Sequence, residues 1–138
     1  RLRAALDEIA SQHDFELVWQ PEPDSAPQCS PATAEQVINI VREALINSAR
    51  HAQARKVSVF AGRRGEENFV AVEDNGRGFD SSQPAPNGHF GLQIMNARAE
   101  HIRGRIEIRS APERGARVTL WWKAEGRGEH GTSPRIDG

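Results

Sequence analysis

Cysteine is nearly absent from this sequence, because Cys29 is the only one in 138 residues. A single cysteine excludes an internal disulfide and any cysteine-rich metal site. Long apolar runs are missing as well, since none approaches the roughly 20 residues that a membrane-spanning helix needs. The sequence also lacks a surplus of charge, with a formal net charge of -1. No global field therefore favours nucleic acid or an anionic membrane as a direct partner.

The remaining composition is that of an ordinary soluble globular domain, with 37% hydrophobic and 27% charged residues. A chain of this length can bury a substantial core. We expect one domain over residues 1–123 and a disordered tail over residues 124–138, because the tail has four glycines, a proline and no hydrophobic periodicity. The sequence does not begin with Met, and we expect it to be a piece of a longer protein, with any membrane anchor upstream.

The hydrophobic periodicity predicts an α/β chain. Helical spacing predicts helices over residues 1–12, from residue 33 to residues 52–55, and from residue 92 to the C-cap Gly104. Thr33 is predicted to cap the long helix, with Gln36 at the capping-box position. Alternating patterns predict strands over residues 15–19, 56–61, 68–73, 105–109 and 116–122.

The long helix has two different faces. Apolar and small residues, from Val37 to Ala52 and including Ser48, form a stripe suited to packing on a sheet. On the other side, Asn47 lies about 40° from Glu43 on a helical wheel and Arg50 about 20° in the opposite direction. His51 borders this group. The polar residues are either a solvated face with helical side-chain pairs or a chemical face covered by a ligand.

A second candidate site follows the third predicted strand. Val70, Val72 and Asp74 share parity, so Asp74 is predicted to point toward the core with the valines. A carboxylate there is costly unless something pairs with it. Gly76 and Gly78 then allow a flat ring or a backbone to approach closely. Such a carboxylate can accept a hydrogen bond from an exocyclic amine, for example the 6-amino group of adenine.

The glycine loops are compatible with some other known motifs and not with others. A dinucleotide fingerprint needs a third glycine and an immediate helix, which Ser81 and the following prolines deny. An EF-hand loop is excluded because Phe79 and Ala85 occupy the positions that need Gly and Glu. A plain turn stays open. Gly88 and Gly91 precede a helix whose amides could hold phosphate, or they end a hinge-like loop.

Four motifs occur in one order along the chain, on a helix, a strand end, a loop and the last strand. They are Glu43-x-x-x-Asn47, Asp74-x-Gly76-x-Gly78, Gly88-x-x-Gly91-Leu92 and Gly115-x-x-Val118-Thr119. In this combination residues 4–123 resemble the GHKL ATPase superfamily, and more narrowly the catalytic ATP-binding domain of bacterial sensor histidine kinases. The segments REALINSARHA, VEDNGRGF, GHFGLQIMNARAEHIRG and GARVTLWW resemble the subfamily of nitrate/nitrite sensors, whose partners are response regulators with helix-turn-helix output domains.

The resemblance implies a two-layer GHKL (Bergerat) sandwich, in which a mixed five-stranded sheet packs on about three helices and ATP lies in the helical layer. It implies catalytic roles for two residues of the long helix. Asn47 would coordinate Mg²⁺, and Glu43 would act as a base or orient water near the γ-phosphate. Arg50 and His51 would contact phosphates.

The same resemblance implies roles for the other motifs. Asp74 would receive the adenine amine, with Gly76 and Gly78 shaping the pocket. Thr119 would assist, often through water, although its parity opposes Val118 and Leu120 and leaves its direction open. Gly88, Gly91 and Leu92 would bound a mobile lid over the phosphates.

No histidine of the chain lies in a dimerisation-helix context, so the resemblance implies that this piece binds ATP but does not autophosphorylate alone. The substrate histidine would lie on an upstream helical hairpin of the same subunit or its dimer partner. The resemblance also implies that this piece is a cytoplasmic domain of an inner-membrane sensor protein. Alternatives are a nucleotide sensor or docking module without kinase activity, an anti-sigma-type serine kinase, and an ATP-driven clamp, which would need a longer lid and a transducer domain.

Overall fold

The computed structural model describes most of the predicted domain. Three helices, α1 (Leu2–Ala10), α2 (Pro31–Arg50) and α3 (Gly91–His101), and five strands, β1 (Glu16–Pro21), β2 (Lys56–Arg64), β3 (Glu67–Asp74), β4 (Gly104–Ser110) and β5 (Ala116–Lys123), lie in this part. The described residues are 2–13, 15–22, 27, 29–50, 54–77 and 91–123, of which 2, 50, 91 and 92 are described by their backbone alone. None of the helices in these ranges has the length and hydrophobicity to cross a membrane. The predicted tail over residues 124–138 lies outside them.

The five strands form one mixed sheet in the order β1-β2-β3-β5-β4. β1 and β2 are parallel, so the chain between them must cross over, and α2 is part of this crossover. The other three pairs are antiparallel. The helices pack on one face of the sheet, so the predicted two-layer α/β architecture is confirmed.

Strand register decides which side chains meet the helices. Val59 lies opposite Val72, and Val72 lies opposite Val118. These residues share the helix-facing side of the sheet, and they pack with apolar residues of α2 such as Val37 and Leu45. Both α2 residues have an exposed fraction of 0%. Hydrophobic burial between the sheet and α2 therefore fixes the long helix in place.

The start of α2 differs from the prediction. The helix begins at Pro31, and the cap is Ser30, whose Oγ accepts a hydrogen bond from the Thr33 N–H at 3.2 Å. The predicted cap at Thr33 is therefore wrong. Proline is tolerated in the first helical turn because its missing N–H would have no partner there. The helix therefore begins before the residue that was predicted to cap it.

The end of α3 also differs. Arg103, with φ 55°, takes the left-handed conformation after the helix, so the predicted C-cap at Gly104 is wrong by one residue. Gly104 already belongs to β4, where a Cβ atom would lie 2.5 Å from the Trp121 carbonyl oxygen. A glycine is required there by close strand packing rather than by helix termination.

β1 extends to Pro21, beyond the predicted end at residue 19. The strand lies at the edge of the sheet, and the Glu22 N–H donates to the Ala61 carbonyl at 2.9 Å. Because backbone groups alternate in direction along a strand, the Pro21 nitrogen points away from β2. Its missing N–H therefore costs no sheet hydrogen bond.

The helix α3 offers a matched test of the core. Met95 is 0% exposed, whereas its neighbour Ile94 is 45% exposed. We predict that Met95→Ala lowers the free energy of unfolding by about 2–5 kcal/mol, since it leaves a cavity. Ile94→Ala should change it by less than about 0.5 kcal/mol. Urea unfolding measures both, and equal losses would contradict this packing of α3.

Candidate functional site

Asp74, the last residue of β3, is a buried carboxylate with an exposed fraction of 9%. The prediction that it points toward the core is confirmed. The Ser48 hydroxyl donates to Asp74 Oδ2 at 2.8 Å, and the Gly76 N–H donates to Oδ1 at 2.9 Å. In the part of the chain that the structure describes, Asp74 forms no ion pair. Since a carboxylate has about four acceptor positions, room remains for further donors.

Ser48 is the site residue that the sequence analysis missed. It was assigned to the apolar stripe of α2, and the structure confirms that it is buried, at 4% exposure. The missing signal was its chemistry, because a hydroxyl on an otherwise apolar helix face needs a buried partner. Asp74 is that partner.

The backbone after Asp74 is fixed by a side chain that the sequence analysis also did not assign. Asn75 Oδ1 accepts hydrogen bonds from the backbone N–H groups of Arg55 and Lys56, both at 2.9 Å. The Asn75 N–H in turn donates to the Lys56 carbonyl at 3.2 Å. These three bonds tie the loop that follows β3 to the beginning of β2.

Gly115, in the turn between β4 and β5, packs directly against the backbone of Asp74. Its φ is 76°, and a Cβ atom at this position would lie 2.2 Å from the Asp74 carbonyl oxygen. The Ser110 hydroxyl donates to the Gly115 carbonyl at 2.9 Å and holds the turn closed. The glycine of the fourth motif therefore packs against the backbone of the aspartate of the second motif.

The polar face of α2 carries Glu43 and Asn47, which are both half-buried and lie one turn apart. Asn39, a further turn toward the N-terminus, accepts a hydrogen bond from Arg42 at 3.1 Å. Asn47 directly precedes Ser48, so one helix carries the polar face and the hydroxyl bound to Asp74. At the other end of α2, Arg98 of α3 donates to Gln36 Oε1 at 3.2 Å.

The structure does not bring Thr119 to Asp74. Thr119 pairs with Ala71 across the sheet and points away from the helices, whereas Asp74 faces them and pairs with Ala116. On that other face, Thr119 helps line a depression of about 350 Å³ beside Phe69 and Trp121. Thr119 is 4% exposed there. Thr119 therefore lies on the opposite face of the sheet from Asp74, and this position does not support the role beside adenine that the resemblance implied.

The other predicted site residues are only partly described. Gly76 is described, and its N–H donates to the Asp74 carboxylate. Gly91 and Leu92 begin α3, and Arg50 is the last residue of α2, with their backbones alone described. His51, Gly78 and Gly88 lie outside the described residues. Among the residues that are described, no group of three His, Cys, Asp or Glu side chains is placed to hold a metal ion.

Comparison of the sequence with known families and proteins gives a consistent result. Residues 32–126 match the family described as Histidine kinase-, DNA gyrase B-, and HSP90-like ATPase. The chain is similar to the sensor histidine kinase LiaS of Bacillus subtilis (strain 168), with 32% identity over 119 residues, which are 86% of this chain and 32% of LiaS. It is also similar to the nitrate/nitrite sensor protein NarX of Escherichia coli (strain K12), with 31% identity over 121 residues, 86% of this chain and 20% of NarX.

The fold is shared with a solved kinase structure. The Erythrobacter litoralis EL346 blue-light activated histidine kinase superposes with a TM-score of 0.72 at 22% identity, over 88% of this chain and 40% of that chain. The family match and the similarity to LiaS and NarX confirm the resemblance to the ATP-binding domain of sensor histidine kinases. The chain spans about a third of LiaS and a fifth of NarX in length.

Two glycines with positive φ provide a matched test of the contact behind Asp74. At Gly65 φ is 64°, and an added Cβ atom would have no neighbour within 4 Å. We predict that Gly65→Ala lowers the free energy of unfolding only by the backbone strain, about 1–2 kcal/mol. Gly115→Ala should cost about 1–3 kcal/mol more, because its methyl group displaces the Asp74 backbone. Urea unfolding of both variants measures the difference, and equal losses would contradict the close packing of Gly115.

Proposed function

The chain belongs to the family of histidine kinase-, DNA gyrase B- and HSP90-like ATPases, and on this premise we propose that it is the ATP-binding catalytic domain of a sensor histidine kinase. In this role it presents Mg²⁺-ATP for transfer of the γ-phosphoryl group to a histidine. Domains of this family bind ATP. The observation that carries the proposal for this chain is the buried Asp74 carboxylate, which two neutral donors hold.

Asp74 is the proposed acceptor for the adenine amine. A buried carboxylate is stabilised by every hydrogen bond that it can accept. A hydrogen bond to a charged acceptor contributes more stability than a hydrogen bond to a neutral acceptor. Ser48 and Gly76 supply one donor to each oxygen. The 6-amino group of adenine offers an N–H donor for a remaining acceptor position. Gly76, and Gly78 as expected from the sequence, leave space for the flat base.

Asn47 and Glu43 are proposed to act at the phosphate end. Both present oxygen atoms on one half-buried side of α2, and hard cations such as Mg²⁺ prefer oxygen ligands. Mg²⁺ usually takes few ligands from the protein and the rest from phosphates and water, so the single amide oxygen of Asn47 fits it. When bound, the ion neutralises charge on the phosphate oxygens.

The carboxylate of Glu43 is proposed to orient the attacking group near the γ-phosphate. We also propose the phosphate contacts of Arg50 and His51, where an arginine fork suits phosphate oxygens. Gly88, Gly91 and Leu92 are proposed to bound the lid. Phosphoryl transfer depends mainly on positioning and charge neutralisation, which these groups would supply.

The partners of the domain follow from this role. We propose that the acceptor histidine lies on a dimerisation hairpin of the same kinase, and that the phosphoryl group passes on to a response regulator with a helix-turn-helix output domain. This regulator class is the one implied by the resemblance to the nitrate/nitrite-sensor subfamily, and the chain is similar to the nitrate/nitrite sensor protein NarX. The domain is proposed to work in the cytoplasm, joined to an upstream sensor segment in the inner membrane.

A transfer assay tests the proposed function. The chain is mixed with Mg²⁺-ATP and with a helical hairpin that bears the acceptor histidine of the same kinase. We expect acid-labile phosphohistidine on the hairpin, and no phosphorylated protein when the hairpin is left out. ATP binding without transfer to any histidine would contradict a kinase and favour a nucleotide sensor.

Asp74→Asn tests the adenine assignment. The amide puts an N–H₂ group where the adenine amine needs an acceptor, so ATP affinity should fall by about 1–3 kcal/mol, or roughly 5- to 150-fold. Calorimetric titration measures it. Glu73→Gln is the matched control, because Glu73 is the exposed neighbour and pairs with Arg117 at 3.1 Å. Unchanged ATP affinity in Asp74→Asn would disprove the assignment.

Asn47→Ala tests the metal assignment. We predict that wild-type protein binds ATP more tightly with Mg²⁺ than without it, and that Asn47→Ala loses most of this difference while Mg²⁺-free binding stays the same. Asn39→Ala, two turns earlier on the same side of α2, should keep the Mg²⁺ dependence. Titrations with and without Mg²⁺ compare the three proteins. A wild-type Mg²⁺ dependence in Asn47→Ala would refute a metal role.

A further inference from the structure

We propose that Ser48 is a positioning residue for base recognition, which makes the site prefer purine nucleotides that carry a 6-amino group. This inference rests on the proposed function of Asp74 as the acceptor for that amine. Ser48 does not touch the base in this proposal. It acts by holding one carboxylate oxygen of Asp74, so that the remaining acceptor position of the carboxylate faces the ligand.

The geometry of the pair supports a positioning role. The Ser48 Oγ and Asp74 Oδ2 are 2.8 Å apart, and the two residues are 4% and 9% exposed. Water therefore competes poorly for this hydrogen bond, and the low dielectric of the interior strengthens it. The Gly76 N–H holds the other oxygen, Oδ1, at 2.9 Å. With one donor on each oxygen, rotation of the carboxylate about its Cβ–Cγ bond would break both bonds.

The donor is itself fixed in place. Ser48 follows the buried core residues Ala44 and Leu45 along α2, and its carbonyl accepts a hydrogen bond from the Ala54 N–H at 3.2 Å. A serine within a helix often bonds to the carbonyl four residues earlier. Here its hydroxyl instead crosses to a strand residue 26 positions away. The bond therefore sets the orientation of Asp74 relative to α2.

Removal of the hydroxyl has a specific consequence. Asp74 would keep only the bond from Gly76, which lies two residues away and moves with the same loop. The carboxylate could then rotate and satisfy its buried oxygen in other ways. Recognition of the amine would weaken, whereas contacts to the ribose and phosphates would be unaffected. The loss should thus appear as a loss of preference among bases.

The test compares two nucleotides on each variant. Affinities for Mg²⁺-ATP and for the triphosphate of purine riboside, which lacks the 6-amino group, are measured by calorimetry. Ser48→Ala should weaken ATP binding roughly 5- to 30-fold and leave binding of the analogue unchanged. Ser48→Cys, which keeps a weak donor, should lie between Ala and wild type. Ser58→Ala, which removes a half-buried serine on the other face of the sheet, should match the wild type.

The ratio of the two affinities separates the outcomes, because a loss of folded protein affects both ligands equally. An unchanged ratio in Ser48→Ala and Ser48→Cys would overturn the inference, whether or not stability falls. If Asp74→Asn weakens ATP binding while the ratio in Ser48→Ala stays at the wild-type value, only the role of Ser48 fails. If Asp74→Asn also binds ATP normally, the proposed nucleotide site itself fails.

Discussion

The hydrogen bond between the Ser48 hydroxyl and the Asp74 carboxylate joins the helical layer to the sheet at the point where the candidate site lies. A buried carboxylate is costly when it lacks donors, and here the donors come from different parts of the chain. Ser48 reaches it from α2, and Gly76 reaches it from the loop after β3. Gly115 packs behind its carbonyl from the turn between β4 and β5. The bond from Ser48 can form only when α2 and β3 are in their native places, so the interaction links the fold to the site.

The long helix α2 contributes to the core and to the proposed site in three ways. Its apolar stripe packs on the sheet through residues such as Val37 and Leu45. Its Ser48 fixes the proposed base acceptor. Asn47, the next residue back, lies about 100° around the helix and therefore points in another direction, toward the proposed phosphate end. Since a helix does not readily change the relation between successive side chains, α2 would set the spacing between the proposed base and phosphate ends of the site. The same element that stabilises the core thus sets the geometry of the site.

Much of this arrangement could be predicted from periodicity alone. The strands and the inward direction of Asp74 follow from alternation, which needs no knowledge of partners. Features that depend on contacts between distant residues could not be predicted. Ser48 was assigned to the apolar stripe because its partner is 26 residues away. The direction of Thr119 became clear only from its pairing with Ala71. The start of α2 at Pro31 was not predicted because proline interrupts the interior of a helix, although it is compatible with the first turn.

We propose that one nucleotide lies along α2, with its base at Asp74 and its phosphates at Asn47. A crystal structure of the chain with Mg²⁺ and a non-hydrolysable ATP analogue tests this most directly. We predict that an Asp74 oxygen accepts a hydrogen bond from the adenine amine, that Ser48 still donates to Asp74, and that the Asn47 amide oxygen is a ligand of the metal. A nucleotide bound elsewhere, for example on the sheet face that carries Thr119 and Trp121, would contradict the claim.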